Sequence, residues 1–110
     1  MNPEIKTKWV EALRSGRYQQ GRDRLRSPDG KLFCCLGVLC DLVDPTKWGE
    51  YLCEDLCFLP PNIVEVAQTV VSDPRVTIEI EGFISSWSLA QVNDSGLSFD
   101  KIADLIEEQL

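Results

Sequence analysis

Apolar positions recur at helical spacing from the start of the chain. Ile5, Trp9, Ala12 and Leu13 share one face of a helix predicted over roughly residues 3–15. Asn2 stands where a cap belongs, Pro3 suits the first helical position, Glu4 favours the first turn, and Gly16 ends the helix. Between Phe33 and Val43 the period vanishes, because every position but Asp41 is apolar or glycine. A strand apolar on both faces runs about 4–8 residues and a membrane span needs about 20, so this length predicts a helix buried on every side. Gly37 lets another backbone come close, and Pro45 stops the helix just beyond Asp44. Val76 to Glu81 alternates strictly, a strand that ends at Gly82 and turns Thr77, Glu79 and Glu81 to water. Ser98 caps a last helix, with Phe99, Ile102, Ala103, Ile106 and Leu110 as its buried stripe and Asp100, Asp104, Glu107 and Glu108 as its wet face.

The segments between are less regular. Ser27-Pro28-Asp29-Gly30 is a turn signal that predicts a short hairpin, with strands near 22–26 and 31–34. Residues 44–61 read as loop with Trp48 as an aromatic anchor, and Pro60-Pro61 breaks the chain. Asn62 is placed to cap a short helix that buries Ile63, Val66 and Ala67. Phe83 to Trp87 lead into another short helix near 88–93, and Asn93-Asp94-Ser95-Gly96 is a turn. The sum is one α+β domain over residues 1–110: about four helices around the buried central one, with a small, mostly antiparallel sheet.

Composition narrows the function. The net charge of −7 is unevenly spread: residues 1–31 carry eight basic and four acidic side chains, the remainder three basic and fourteen acidic. Most of the surface should therefore repel DNA and RNA, leaving the basic end to hold a small anion or to neutralise the acidic end. The start of the chain has no apolar leader and no stretch long enough to span a bilayer, which points to a cytoplasmic protein without a membrane partner. Five cysteines, two of them adjacent, make a poor disulfide framework; Cys34, Cys35 and Cys40 fit buried, reduced thiols. With no histidine, Ser-His and Cys-His catalysis lack their base, and neither a metal nor a cofactor is expected. Phosphate-binding, dinucleotide-binding and nucleophile-elbow motifs are missing. The pairs Glu79/Glu81 and Glu107/Glu108 fit solvated positions better than acid–base catalysis, so the balance lies against an enzyme.

Two polar loops remain. In the first, Arg17, Tyr18, Gln20, Gly21 and Arg22 lie between Arg14 and Arg24. Arginine can grip phosphate in bidentate fashion, tyrosine can stack on a base, and glycine lets backbone N–H groups approach. The competing reading is a helix-to-strand turn with Tyr18 in the core and the arginines in solvent or paired with carboxylates. The second loop holds Asn93 and Asp94, either for a ribose or a base edge or as an Asx turn between two helices. Both loops could contribute to one pocket if they meet.

The run Trp9-x-x-Ala12-Leu13-Arg14-Ser15-Gly16-x-Tyr18-x-Gln20-Gly21, the segment Cys34-Cys35-Leu36-Gly37-Val38-Leu39-Cys40-Asp41-Leu42, the Leu59-Pro60-Pro61 break and the ending Leu89-Ala90-x-x-Asn93-Asp94-x-Gly96-x-Ser98-Phe99-x-x-Ile102-Ala103-Asp104-x-Ile106-Glu107 resemble a group of small proteins encoded by tailed bacteriophages and prophages. The likeness covers about half the chain and departs most over residues 44–88. It implies a genomic setting, the cytoplasm of an infected or lysogenic bacterium, and no mechanism. In that setting small acidic proteins commonly act on host defence by binding. The expectation is a non-enzymatic accessory protein that sequesters a small anionic ligand, a nucleotide immune signal of the host, and assembles as a homo-oligomer. The alternative is a protein–protein inhibitor of a host factor; an unrecognised hydrolase is the remaining one.

Overall fold

The computed structural model describes residues 1–110. In chain order the elements are helix α1 (Pro3–Arg14), strands β1 (Gln19–Gln20) and β2 (Leu32–Phe33), helices α2 (Cys35–Val43) and α3 (Pro61–Ala67), strands β3 (Arg75–Ile80) and β4 (Phe83–Ser88), and helices α4 (Leu89–Asp94) and α5 (Phe99–Gln109). The α+β class holds, with five helices and the strands split into a short parallel pair, β1–β2, and a longer antiparallel pair, β3–β4.

Helix α2 is the centre. Cys35 through Cys40 are all buried, so no face of its first turns meets water. Its one carboxylate is satisfied sideways: Asp41 accepts from the Tyr18 hydroxyl at 2.7 Å and from the Trp48 indole N–H at 2.9 Å. Helix α1 is capped as the sequence dictates, the Asn2 side chain accepting from the N–H groups of Glu4 and Ile5. Its Trp9 donates to the Cys35 carbonyl at 2.9 Å, which ties the first helix to the start of α2. The stripe of α5 packs against α1, and Ser98 accepts from Lys101 N–H at its cap. No helix is long and apolar enough to cross a membrane.

Three expectations are corrected. The hairpin over 22–26 and 31–34 shrinks to one bridge, Arg26 to Phe33. The N–H groups of Leu25 and Arg26 go instead to the carbonyls of Leu56 and Glu54, while Leu32 and Phe33 find a parallel partner in Gln19 and Gln20. Asn62 caps nothing: Pro60 holds the cap position and Pro61 the first helical one, and the resulting phase leaves Val66 half exposed. Phe83 to Ser88 is a strand and not a lead-in. Glu81 and Gly82 both take positive φ (51° and 83°), as a two-residue hairpin turn requires, so the chain returns along β3.

Cys34, Cys35 and Cys40 are buried, whereas Cys53 and Cys57 are exposed; all five are free thiols. Burial pushes the Cys34 thiol up to about 11 and raises Cys35 and Cys40 further. A protonated, enclosed thiol reacts slowly. Native protein treated with a maleimide should therefore label quickly at Cys53 and Cys57, and at the other three only after denaturation. Rapid labelling of a third site would show that α2 is not enclosed.

Candidate ligand-binding site

The two polar loops meet. Gln20, in β1, donates from Nε2 to Asn93 Oδ1 at 3.0 Å and to the Leu97 carbonyl at 2.7 Å. Asn93, at the end of α4, donates from Nδ2 to the Gly21 carbonyl at 2.8 Å. Its Oδ1 also accepts from the Cys35 N–H, 3.1 Å away at the first turn of α2. Asp94 accepts from the Asp23 N–H at 2.9 Å. Short helix α4 is held in place by a capping box, in which Ser88 and Gln91 exchange hydrogen bonds.

Contact between the loops consumes many of the groups a ligand would use. Asn93 is fully buried, and both ends of its amide are engaged by protein. Gln20 spends its amide N–H groups on Asn93 and Leu97. Gly21 is buried as well, and a Cβ there would come within 2.8 Å of the Leu32 Cβ, so its glycine serves strand packing. Tyr18 sets its ring edge-on to Phe33, with centroids 5.0 Å apart, and donates to Asp41. Burial first, and then the bond to Asp41, push its hydroxyl up to about 12, so Tyr18 is a neutral donor at any physiological pH. Arg14 is paired with Asp104 at 2.6 Å and Glu107 at 3.1 Å, an exposed clasp between α1 and α5.

Arg17, Arg22 and Arg24 are different, because none has a carboxylate within ion-pair distance. Arg17 is exposed and bonds only to the Ser15 hydroxyl. The Arg22 guanidinium lies over the turn that closes the second loop; a Cβ on Gly96 would sit 3.2 Å from its Nη2. Arg22 and Arg24 both border a hollow of about 140 Å³ completed by Gly21, Ser27, Pro28 and Leu32. Arg24 also faces a wider acidic bowl with Glu50, Glu54 and Asp55, in which Glu50 is paired with Lys47 and Glu54 with Arg26.

A second concavity lies where the sequence raised no candidate. It is a groove of about 430 Å³ between the β3–β4 hairpin and α5, walled by Ile78, Ile80, Trp87, Leu97 and Leu105, with Lys101 and Asp104 among its polar lining. The available signal was the apolar pair Phe83-Ile84 just past Glu81-Gly82, which a hairpin reading would have placed on a projecting tip.

No curated protein and no solved structure matches the chain. One family model, described as a domain of unknown function (DUF8296), matches residues 1–110. The chain therefore belongs, over its whole length, to the DUF8296 domain family.

Proposed function

We propose that this chain is a non-enzymatic binding protein that takes up a small phosphate-bearing anion, a nucleotide signal being the candidate that the phage resemblance favours. One observation carries the reading: in a protein of net charge −7, Arg22 and Arg24 lack carboxylate partners and border a common hollow. Unpaired guanidinium groups beside a concavity are suited to bidentate phosphate contacts. About 140 Å³ suits a phosphoryl group and not a whole nucleotide, so a base and sugar would lie across the neighbouring surface toward Arg17. Gln20, Asn93 and Asp94 support this arrangement by fixing the two loops against each other, Tyr18 ties the first loop to Asp41 of α2, and Arg14 stays with α5.

The test is thermal stabilisation by pyrophosphate and by linear and cyclic nucleotides. A ligand at a hundredfold excess over its Kd should raise Tm by roughly 10 °C or more. Arg22→Glu/Arg24→Glu, at side chains outside the core, should melt as the unliganded parent does and lose the shift. If no phosphate compound moves the parent, or if the double variant responds equally, the reading fails.

A further inference from the structure

Much of the β3–β4 hairpin is uncovered, with residues 79–86 all exposed. It pairs with no other strand, and an isolated two-stranded sheet is marginal in water. In its register Val76 lies opposite Trp87, Ile78 opposite Ser85, and Ile80 opposite Phe83. Side chains directly opposite share a face, so one face reads Val76, Ile78, Ile80, Phe83, Trp87 with a single serine. Only its base is covered. Val76 is buried, whereas Ile80 is 57% and Phe83 76% exposed; Ile84, on the opposite face, is 73% exposed. The apolar groove lies under this face.

Toward its base the hairpin offers neither edge to an added strand, because side chains already hold outward backbone groups there. The Gln109 amide accepts from Thr77 N–H at 2.7 Å and donates to Thr77 C=O at 2.9 Å on the β3 edge. On β4, the Ser86 carbonyl is held by Arg75 at 2.9 Å, and Ser88 N–H donates to Gln91. Only the outward groups of the Glu79–Ile84 pair are left near the tip, too short an edge for a strand, so the side-chain face and the groove are the surface for an occupant.

We propose that the occupant is a second copy of this chain, in a two-fold dimer where each hairpin tip seats in the other copy's groove. Each copy carries both halves of this contact. The tip offers Ile80 and Phe83 flanked by Glu79 and Glu81, neither of which has an ion-pair partner. The groove offers Ile78, Trp87, Leu97 and Leu105, with Lys101 in its lining. Of the three basic residues beyond position 32, Lys47 is paired with Glu50 and Arg75 is bound to Ser86, which leaves Lys101 free to meet a carboxylate. The indole N–H of Trp87 is shielded and has no acceptor within the chain, and an incoming tip carries carboxylates and backbone carbonyls. Asp104 in the same lining is already held by Arg14, so the tip's apolar pair and carboxylates match the groove's apolar walls and its unpaired Lys101, and two-fold symmetry makes each contact twice. The groove and the Arg22–Arg24 hollow share no residue, so this inference stands apart from the anion reading.

Sedimentation velocity of the full chain over a range of micromolar concentrations tests it. The expected result is a species near twice the chain mass of 12.4 kDa. Phe83→Asp should leave the circular dichroism spectrum unchanged and weaken association by about tenfold or more, equivalent to about 1.4 kcal/mol. Lys101→Glu should weaken it too, and Glu81→Lys in the same chain should restore it. A chain that stays monomeric, a Phe83→Asp variant that stays as dimeric as the parent, or a charge swap without rescue would overturn the proposal.

Discussion

Asn93→Ala is expected to destabilise the protein by about 4 kcal/mol, lowering Tm by roughly 15–20 °C. The side chain is fully buried and joins three elements. Truncation removes the acceptor for the Cys35 N–H and the donor for the Gly21 carbonyl, both inside the fold. Each buried backbone group left without a partner costs about 1–3 kcal/mol. Gln20 suffers less, since it keeps the Leu97 carbonyl. Asn93→Asp is the sharper probe. It keeps an acceptor for Cys35 but turns a second oxygen toward the Gly21 carbonyl and the Asp94 carboxylate, where the amide had donated. Burial and the neighbouring oxygens would raise the new carboxyl's folded pKa above its unfolded value near 3.9. A raised folded pKa gives stability that is present below the unfolded pKa and lost as pH rises through the folded one. The deficit of Asn93→Asp relative to the parent should thus shrink as pH falls from 7 toward 4. Denaturant melts of both variants at the two pH values give the answer; an Asn93→Ala loss under about 1 kcal/mol would mean that the loops hold without this amide.

The long-period features were legible because one physical rule governed each. The run at 35–43, apolar but for Asp41, had only one way to avoid water, and the caps at Asn2 and Ser98 lie where their side chains reach free N–H groups. The β1–β2 pairing was not legible, since it joins residues in parallel across an intervening turn and is only two residues long. Strand β4 was hidden by its own composition: Ser85, Ser86 and Ser88 mask the alternation that its partner β3 displays. At the site, the meeting of the two loops was readable as a condition and not as a fact. Gln20 and Asn93 are 73 positions apart, and nothing local says that one amide will bind the other.

Much the same limit applies to the roles inside the site. Arginine and tyrosine beside glycine carry the composition of a phosphate grip whether or not their partners lie within the protein. Arg14 and Tyr18 turn out to have partners in Asp104 and Asp41, while Arg22 and Arg24 have none. Asp41, the one carboxylate of the central helix, looked like a blemish in an apolar run. It is the acceptor that fixes both Tyr18 and Trp48, and so links the first loop to the irregular 44–61 segment.

Gly37→Ala is expected to destabilise the protein by roughly 4 kcal/mol or more, although alanine is a better helix former by about 1 kcal/mol. A Cβ at this position would lie 1.8 Å from the Leu25 carbonyl oxygen and 2.7 Å from its carbon. Those are backbone atoms, and they cannot swing aside as a side-chain tip can. Leu25 is also pinned from both directions: its N–H donates to the Leu56 carbonyl at 2.7 Å, and its carbonyl accepts from the Cys34 N–H at 3.1 Å. Relief of the clash requires moving α2 away from the 25–26 segment, which breaks the second bond and opens a gap around the fully buried Leu25 and Leu36 side chains. Overpacking alone costs about 1–3 kcal/mol, and the lost bond and loosened core take the total to roughly 4 kcal/mol or more. That is a large part of the about 5–15 kcal/mol expected for a domain of this size. Gly16→Ala is the control. Its φ of +78° makes alanine strained, yet nothing lies within 4 Å of the added carbon, so the loss should be about 1 kcal/mol. Thermal melts followed by near-ultraviolet circular dichroism separate the two. Gly16→Ala should keep a cooperative transition a few degrees below the parent, while Gly37→Ala should melt roughly 15 °C or more below it. A Gly37→Ala protein that melts within a few degrees of the parent would mean that α2 and the 25–26 segment are not in backbone contact.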